Sequence, residues 1–258
     1  MSAAPFALVT GATAGIGAGF ARRLAADGHD LVLVARNEER LETLADELRH
    51  RFGCVVEVLP ADLAEPDECS RIEVRLADAE RPIDLLVNNA GFGTRSDFVD
   101  TPVDDLEREL DVMVRAVLRL TRAALPVMVE RHAGGIINVS SVAGWLPTGT
   151  YAAAKSWVTT FSQGIAKDLR GTGVTVLALC PGLTHTEFHE RSGIDLSRTP
   201  EWMWSDVDTV VDAALRDLAR GRRISVPGVP NKALSALAQV VPGRAIGRVY
   251  ANRRAAQG

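Results

Sequence analysis

The chain has 258 residues, 47 % of them hydrophobic, with 29 basic against 33 acidic side chains. This is enough length for a sizeable buried core, at a net charge of −4. No long basic block supplies the electrostatic footprint of a nucleic-acid binder. Three scattered cysteines, Cys54, Cys69 and Cys180, give neither a disulfide framework nor zinc-ligand spacing, so a reducing, cytoplasmic setting is expected.

In chain order, MSAAPFALVTGA passes almost at once into an apolar strand without a leader-like pattern, and no run of ~20 apolar residues follows anywhere. Short Val-, Ile- and Leu-rich runs predict strands at 6–10, 31–35, 55–60, 85–88, 136–140, 174–179 and 224–226, separated by segments of helical period. Pro66, Pro102 and Ser205 mark helix starts. Alternating strands and helices without a linker or repeat predict one α/β domain over 1–258, a doubly wound parallel sheet of about seven strands with helices on both faces. Ligands of such a sheet sit beyond the carboxyl ends of its strands.

The first strand runs into TGATAGIG, residues 10–17, which opens a helix. Gly11, Gly15 and Gly17 remove the Cβ atoms that would hold a pyrophosphate off the backbone, and the helix N-terminus offers N–H donors to it. A tight turn that binds nothing is the plain alternative. The reading is a Rossmann-like dinucleotide site. At the end of the second strand, where folds preferring NAD place an acid for the ribose 2′-hydroxyl, stands Arg36, whose guanidinium suits a 2′-phosphate. NADP(H) is therefore expected over NAD(H), although Glu38 or Glu39 could still reach the ribose, which keeps NAD(H) open.

Further motifs follow in order: DL at 62–63, NNAG at 88–91, NVSS at 138–141, YAAAK at 151–155 and PGLTHT at 181–186. With TGATAGIG they make the chain resemble the short-chain dehydrogenases/reductases of the classical type, over nearly its full length to about residue 190. The resemblance implies an oxidoreductase passing a hydride between NADP(H) and a carbonyl or secondary alcohol. It places Gly11, Thr13, Gly15, Ile16 and Gly17 along the cofactor, with Asp62 and Leu63 at the adenine. Asn88, Asn89, Ala90 and Gly91 lie beside the cofactor or steady the sheet, and Pro181, Gly182 and Thr186 stand at the nicotinamide. Homodimers or homotetramers are common in such proteins.

Tyr151 and Lys155 stand four apart on one helix, on the same face, in a chain with two tyrosines and three lysines. A free phenol has a pKa of ~10, and a nearby ammonium is expected to lower it. By the resemblance, Tyr151 exchanges the proton with the substrate oxygen, Ser141 holds that oxygen, and Lys155 also grips the nicotinamide ribose. Helix surface and a strand cap are the plain alternatives for these three.

Two departures stand out. Where the family usually has an asparagine, in LDVMVRA, this chain has Met113, and Asp111 lies on another side of the helix. A weakened proton relay is expected. The loop SSVAGWLPTGTY sets Ser141 only ten residues before Tyr151, which should reshape the pocket mouth. A lid is expected at about 187–205, where Phe188, Trp202, Met203 and Trp204, with Trp145 and Leu146, would line an apolar substrate pocket for a bulky lipophilic compound; core or subunit contacts are the alternative. His185 and His189 have no metal-ligand set around them, so no metal is expected. The tail at 228–258 carries Lys232, Arg244, Arg248, Arg253 and Arg254 without an acid; a packed or subunit-contacting segment is expected ahead of contact with a membrane surface. A weakly catalytic NADP(H)-binding regulator of the same fold is the alternative function. An isomerase or lyase is selected by no residue.

Overall fold

A computed structural model describes residues 4–93, 98–188, 199–229, 231–233 and 235. The strands are β1 (Phe6–Thr10), β2 (Asp30–Ala35), β3 (Val56–Pro60), β4 (Ile83–Asn88), β5 (Gly134–Val139), β6 (Val174–Leu179) and β7 (Ile224–Ser225). The helices are α1 (Gly15–Ala26), α2 (Glu38–Phe52), α3 (Pro66–Leu76), α4 (Val103–Leu110), α5 (Ala116–Glu130), α6 (Gly149–Asp168) and α7 (Val207–Ala219). All seven strands pair in parallel in the order β3-β2-β1-β4-β5-β6-β7. The order reverses between β1 and β4, and this switch point opens a crevice at the strand carboxyl ends.

The strands are apolar on both faces because helices cover both. Ala7, Val9, Leu31, Leu33 and Val87 point to one side, where Phe20 and Leu24 of α1, Leu41 and Leu48 of α2 and Val210 of α7 meet them. Leu8, Val32, Val34 and Leu86 point to the other, against Ile72 and Leu76 of α3 and Leu120 and Met128 of α5. The two-residue alternation of a strand thus builds two cores from one sequence run.

Element edges differ slightly from the sequence expectation. β4 begins at Ile83, since Ile83 pairs with Phe6 before a register shift, and β5 takes in Gly134 and Gly135, which pair with Val174 and Thr175. The cap of α7 is Asp206, one residue past Ser205: the Asp206 carbonyl accepts the first helical bond, from the Val210 amide, while the Ser205 amide donates to the Leu183 carbonyl. The largest difference lies between α4 and α5, where Asp111–Arg115 forms a π-helical turn inside what reads as one continuous helix.

Candidate active site

The first βα turn is built for an anion. Gly15 has φ of 52°, a left-handed conformation that a side chain resists, and a Cβ there would stand 3.0 Å from the Thr186 Cβ. A Cβ on Gly17 would meet the Gly11 carbonyl. Helix α1 has Ala14 at its N-cap, no side-chain cap and no acid in its first turn, so its N–H groups and positive dipole end face no carboxylate of its own. That cradle fits a dinucleotide pyrophosphate. Asn89 holds the turn: its Nδ2 donates to the carbonyls of Thr10 (3.0 Å) and Gly11 (3.2 Å).

The NNAG segment divides its work. Asn88 faces away from the turn, into a buried network in which its Nδ2 donates to Asn138 Oδ1 (2.9 Å) and Thr121 Oγ1 (3.2 Å). Asn138 in turn donates to Ser162 Oγ on α6 (3.0 Å). Asn88 therefore steadies the sheet, while Asn89, Ala90 and Gly91 border the crevice. Ala90 and Asn89 both donate their amides to Thr10 Oγ1.

Arg36 is exposed at the carboxyl end of β2, immediately ahead of the Asn37 cap of α2, whose side chain accepts from the Arg40 amide at 2.8 Å. Asp62 accepts from Arg108 and, through Oδ1, from the Ala64 amide (3.0 Å), which fixes the turn carrying buried Leu63.

On the other wall, Ser141 caps a short 3₁₀ turn, Val142–Trp145, by accepting from the Ala143 amide (3.1 Å). The turn packs closely on α6. Gly144 permits this, since a Cβ there would lie 2.9 Å from the Lys155 carbonyl carbon. Ser140 Oγ donates to the Lys155 carbonyl (2.6 Å), so β5, the turn and α6 are tied together around the functional side chains. Thr13, Ile16 and Trp145 are partly buried, as is Leu146.

Tyr151 and Lys155 share one face of α6, with Lys155 Nζ 5.7 Å from the Tyr151 ring centre. Lys155 is buried, 4 % exposed, and donates to the Val139 carbonyl at 2.8 Å. Burial pushes Tyr151 up to about 12, against the hydrogen bond of Ser141, and the Glu109 charge adds to the rise. The lowered phenol expected from Lys155 is thus not found in the chain alone, where withdrawal from water is the dominant influence and Ser141, not Lys155, acts against it. Burial pushes Lys155 down to about 8, while Cys180 and Glu109 act in the opposite direction.

Phe188 packs on Tyr151 with ring centres 5.6 Å apart. Of the expected apolar lining, Trp204 stacks on His185 (4.8 Å) and His185 Nε2 lies 3.0 Å from Glu201 Oε1, so these residues fasten the 199–205 segment beside Thr186. Trp202 is 67 % exposed. Pro181 is buried, and Gly182 leaves no room for a Cβ beside the Asn231 side chain. His189, the middle of the lid and tail residues 236–258, with Arg244, Arg248, Arg253 and Arg254, lie outside the described residues. Among the described residues no cluster of three His, Cys, Asp or Glu side chains could hold a metal, and no helix is long and apolar enough to cross a membrane.

Met113, fully buried in the π-turn, reaches the same place as Lys155: its Sδ and Lys155 Nζ lie 3.4 and 3.5 Å from the point where a Gly91 Cβ would stand. Glu109 was not marked by the sequence reading. It is fully buried on α4, one turn before Met113. Its signal was its place in the stripe Leu106, Glu109, Met113, a carboxylate at an apolar position.

The family model described as short chain dehydrogenase matches residues 5–196. A very-long-chain 3-oxoacyl-CoA reductase of Anas platyrhynchos is 35 % identical over 76 % of this chain and 65 % of that protein. Among solved structures, a short-chain dehydrogenase from Sphingobium yanoikuyae in complex with NADPH is 38 % identical, with TM-score 0.82 over 92 % of this chain and 96 % of that one. A bulky-bulky ketone specific alcohol dehydrogenase from Comamonas testosteroni is 32 % identical, with TM-score 0.79 over 93 % and 96 %. Of two curated relatives it matches, the chain spans 60 % and 65 % of the length. The chain belongs to the short-chain dehydrogenases/reductases of the classical type, a family of NAD(P)-dependent oxidoreductases with this seven-stranded Rossmann-like sheet.

Proposed function

We propose that the protein is an NADP(H)-dependent carbonyl reductase or alcohol dehydrogenase acting on a bulky lipophilic ketone or secondary alcohol. The observation that carries this reading is the convergence of Ser141, Tyr151 and Lys155 at the carboxyl end of the sheet, opposite a glycine turn with an open helix N-terminus. NADP(H), when bound, supplies or accepts the hydride. Tyr151 delivers the proton to the substrate oxygen in reduction and removes it in oxidation. Ser141 holds that oxygen, and Lys155 supplies positive charge beside the phenol and holds the nicotinamide ribose. Gly11, Gly15 and Gly17 with the start of α1 carry the pyrophosphate, Asp62 and Leu63 the adenine, and Thr186 the carboxamide.

The preference for NADP(H) rests on exposed Arg36 in place of an acid and is supported by the NADPH-bound relative. Bulk in the substrate rests on the shortened loop bearing Trp145 and on Phe188 over Tyr151, and is supported by the similarity to the bulky-bulky ketone specific alcohol dehydrogenase from Comamonas testosteroni. Loss of NADPH absorbance over a panel of aliphatic, aromatic, fatty acyl and steroid ketones tests the reading. Turnover of a bulky ketone that vanishes in Tyr151→Phe is expected. A second reading, a cofactor-binding regulator with little turnover, has Met113 in its favour, buried where the family usually has an asparagine. Tight NADPH binding with no turnover in either direction would select it.

A further inference from the structure

A cation of the cofactor wall is held by an acid from the substrate side of the crevice. Asn37 caps α2 by accepting from the Arg40 amide, which places Arg40 in the first turn of that helix, four residues after Arg36. The two guanidiniums differ in their surroundings. Among the described residues no acid pairs with Arg36, whereas Arg40 Nη1 lies 3.5 Å from Glu187 Oε2, 147 positions further along the chain. Glu38 and Glu39, next to Arg40 on the helix, do not face it. Both partners of the long-range pair are about half exposed (49 % and 46 %), so a solute reaches them. Glu187 is brought there by firmly seated neighbours. Thr186 rests on the glycine turn, its Cβ 3.0 Å from the point where a Gly15 Cβ would stand, and the Phe188 ring packs on Tyr151. The Phe188 amide donates to Thr186 Oγ1 (3.3 Å), closing a turn around Glu187, and the His185 amide donates to the Ser205 carbonyl (3.1 Å). Three successive residues thus touch the glycine turn, α2 and Tyr151.

We propose that Glu187 is a specificity-determining residue for the cofactor: its carboxylate occupies Arg40 in the free chain, and a ligand with a phosphate at that end of the crevice displaces it. An exposed carboxylate–guanidinium pair is weak and easily exchanged. A phosphate dianion meets a guanidinium with more charge and paired hydrogen bonds, and Arg36 stands as its second cation. Arg40 therefore changes partner rather than gaining one, and NADP(H) affinity is reduced by the strength of the pair that is broken. NADH has no group to take the place of the carboxylate, so it binds with the Arg40–Glu187 pair intact. Glu187 in this way narrows the preference that the two arginines create. The inference rests on the NADP(H) reading above, since it directs the 2′-phosphate to Arg36 and Arg40.

Calorimetric titration of the full chain with NADPH and with NADH, without substrate, tests this in a double-mutant cycle. Glu187→Gln should tighten NADPH binding about two- to fivefold and NADH binding far less, so that the ratio of the two dissociation constants widens. Arg40→Gln should weaken NADPH about tenfold and leave NADH nearly unchanged. Adding Glu187→Gln to Arg40→Gln should not move the ratio again, because the carboxylate then has no guanidinium to withhold. Both side chains are half exposed, so neither replacement disturbs the core. The proposal is overturned if Glu187→Gln leaves the ratio at its wild-type value, if it widens the ratio equally with and without Arg40, or if Arg40→Gln leaves NADPH affinity unchanged. Equal affinity of wild type for the two cofactors would count against the NADP(H) reading instead; the change of ratio on Glu187→Gln judges Glu187 separately.

Discussion

At Tyr151 and Lys155 the same withdrawal from water acts in opposite senses, pushing the phenol up to about 12 and the amine down to about 8. Reduction needs a protonated phenol and a charged lysine. Its kcat/KM should therefore be level below pH 8 and decline as pH rises through the Lys155 midpoint, in a pH profile of NADPH-dependent reduction. The stability linkage has a definite sign. The folded chain releases the Lys155 proton before the unfolded chain does, so burying the ammonium costs its full amount below pH 8. That cost disappears as pH rises toward the ordinary lysine value of 10.5. The effect is on the order of 3 kcal/mol. Denaturation curves of Lys155→Met should lack this rise in stability between pH 8 and 10.5. Tyr151 and Lys155 were legible in the sequence because the motif order isolates them among few like residues. Glu109 was harder to see, because several acids stand in and around EREL, and its place in the stripe with Leu106 and Met113 is a weak signal beside the burial that the folded chain shows.

At the scale of elements, the 3₁₀ turn after β5 sets Ser141 against α6, and Gly144 is the contact that lets it approach. Gly144→Ala would place a methyl 2.9 Å from backbone atoms of Lys155 and Ser156, atoms that cannot give way as a side chain can. The expected result is a loss of about 1–3 kcal/mol in urea denaturation, together with a fall in kcat as Ser141 moves from Tyr151. The short loop was visible in the sequence as a ten-residue spacing. Its consequence was not, since close backbone approach leaves no trace in residue type beyond one glycine among 22. The π-turn at Asp111–Arg115 was hidden because its residues have ordinary helical composition and nothing in their pattern marks the extra residue in the turn. Strands, by contrast, were readable to within a few residues, because both faces of this sheet are buried and its apolar runs are continuous.

For the whole molecule, the crevice at the switch between β1 and β4 joins two walls that differ in construction. The cofactor wall is glycine turn and open helix end; the chemical wall is β5, its turn and α6. Ligand that binds only the folded chain must stabilise it, by about 2.7 kcal/mol at a hundredfold excess over Kd. NADPH should therefore raise the melting temperature more than NADH at equal concentration, and Arg36→Asp should reverse the order. An unchanged order in that variant would remove Arg36 from the account. Whether Tyr151 and its neighbours carry out carbonyl reduction with the hydride of NADPH is decided by tracing that hydride. NADPH deuterated at C4 and a bulky ketone would be incubated with wild type and with Tyr151→Phe, and the alcohol analysed by mass spectrometry. One deuterium is expected on the carbinol carbon with wild type and at least ~100-fold less product with the variant, NADPH binding being retained. Bound NADPH with no deuterated alcohol from wild type, or equal product from both proteins, would contradict that role of Tyr151.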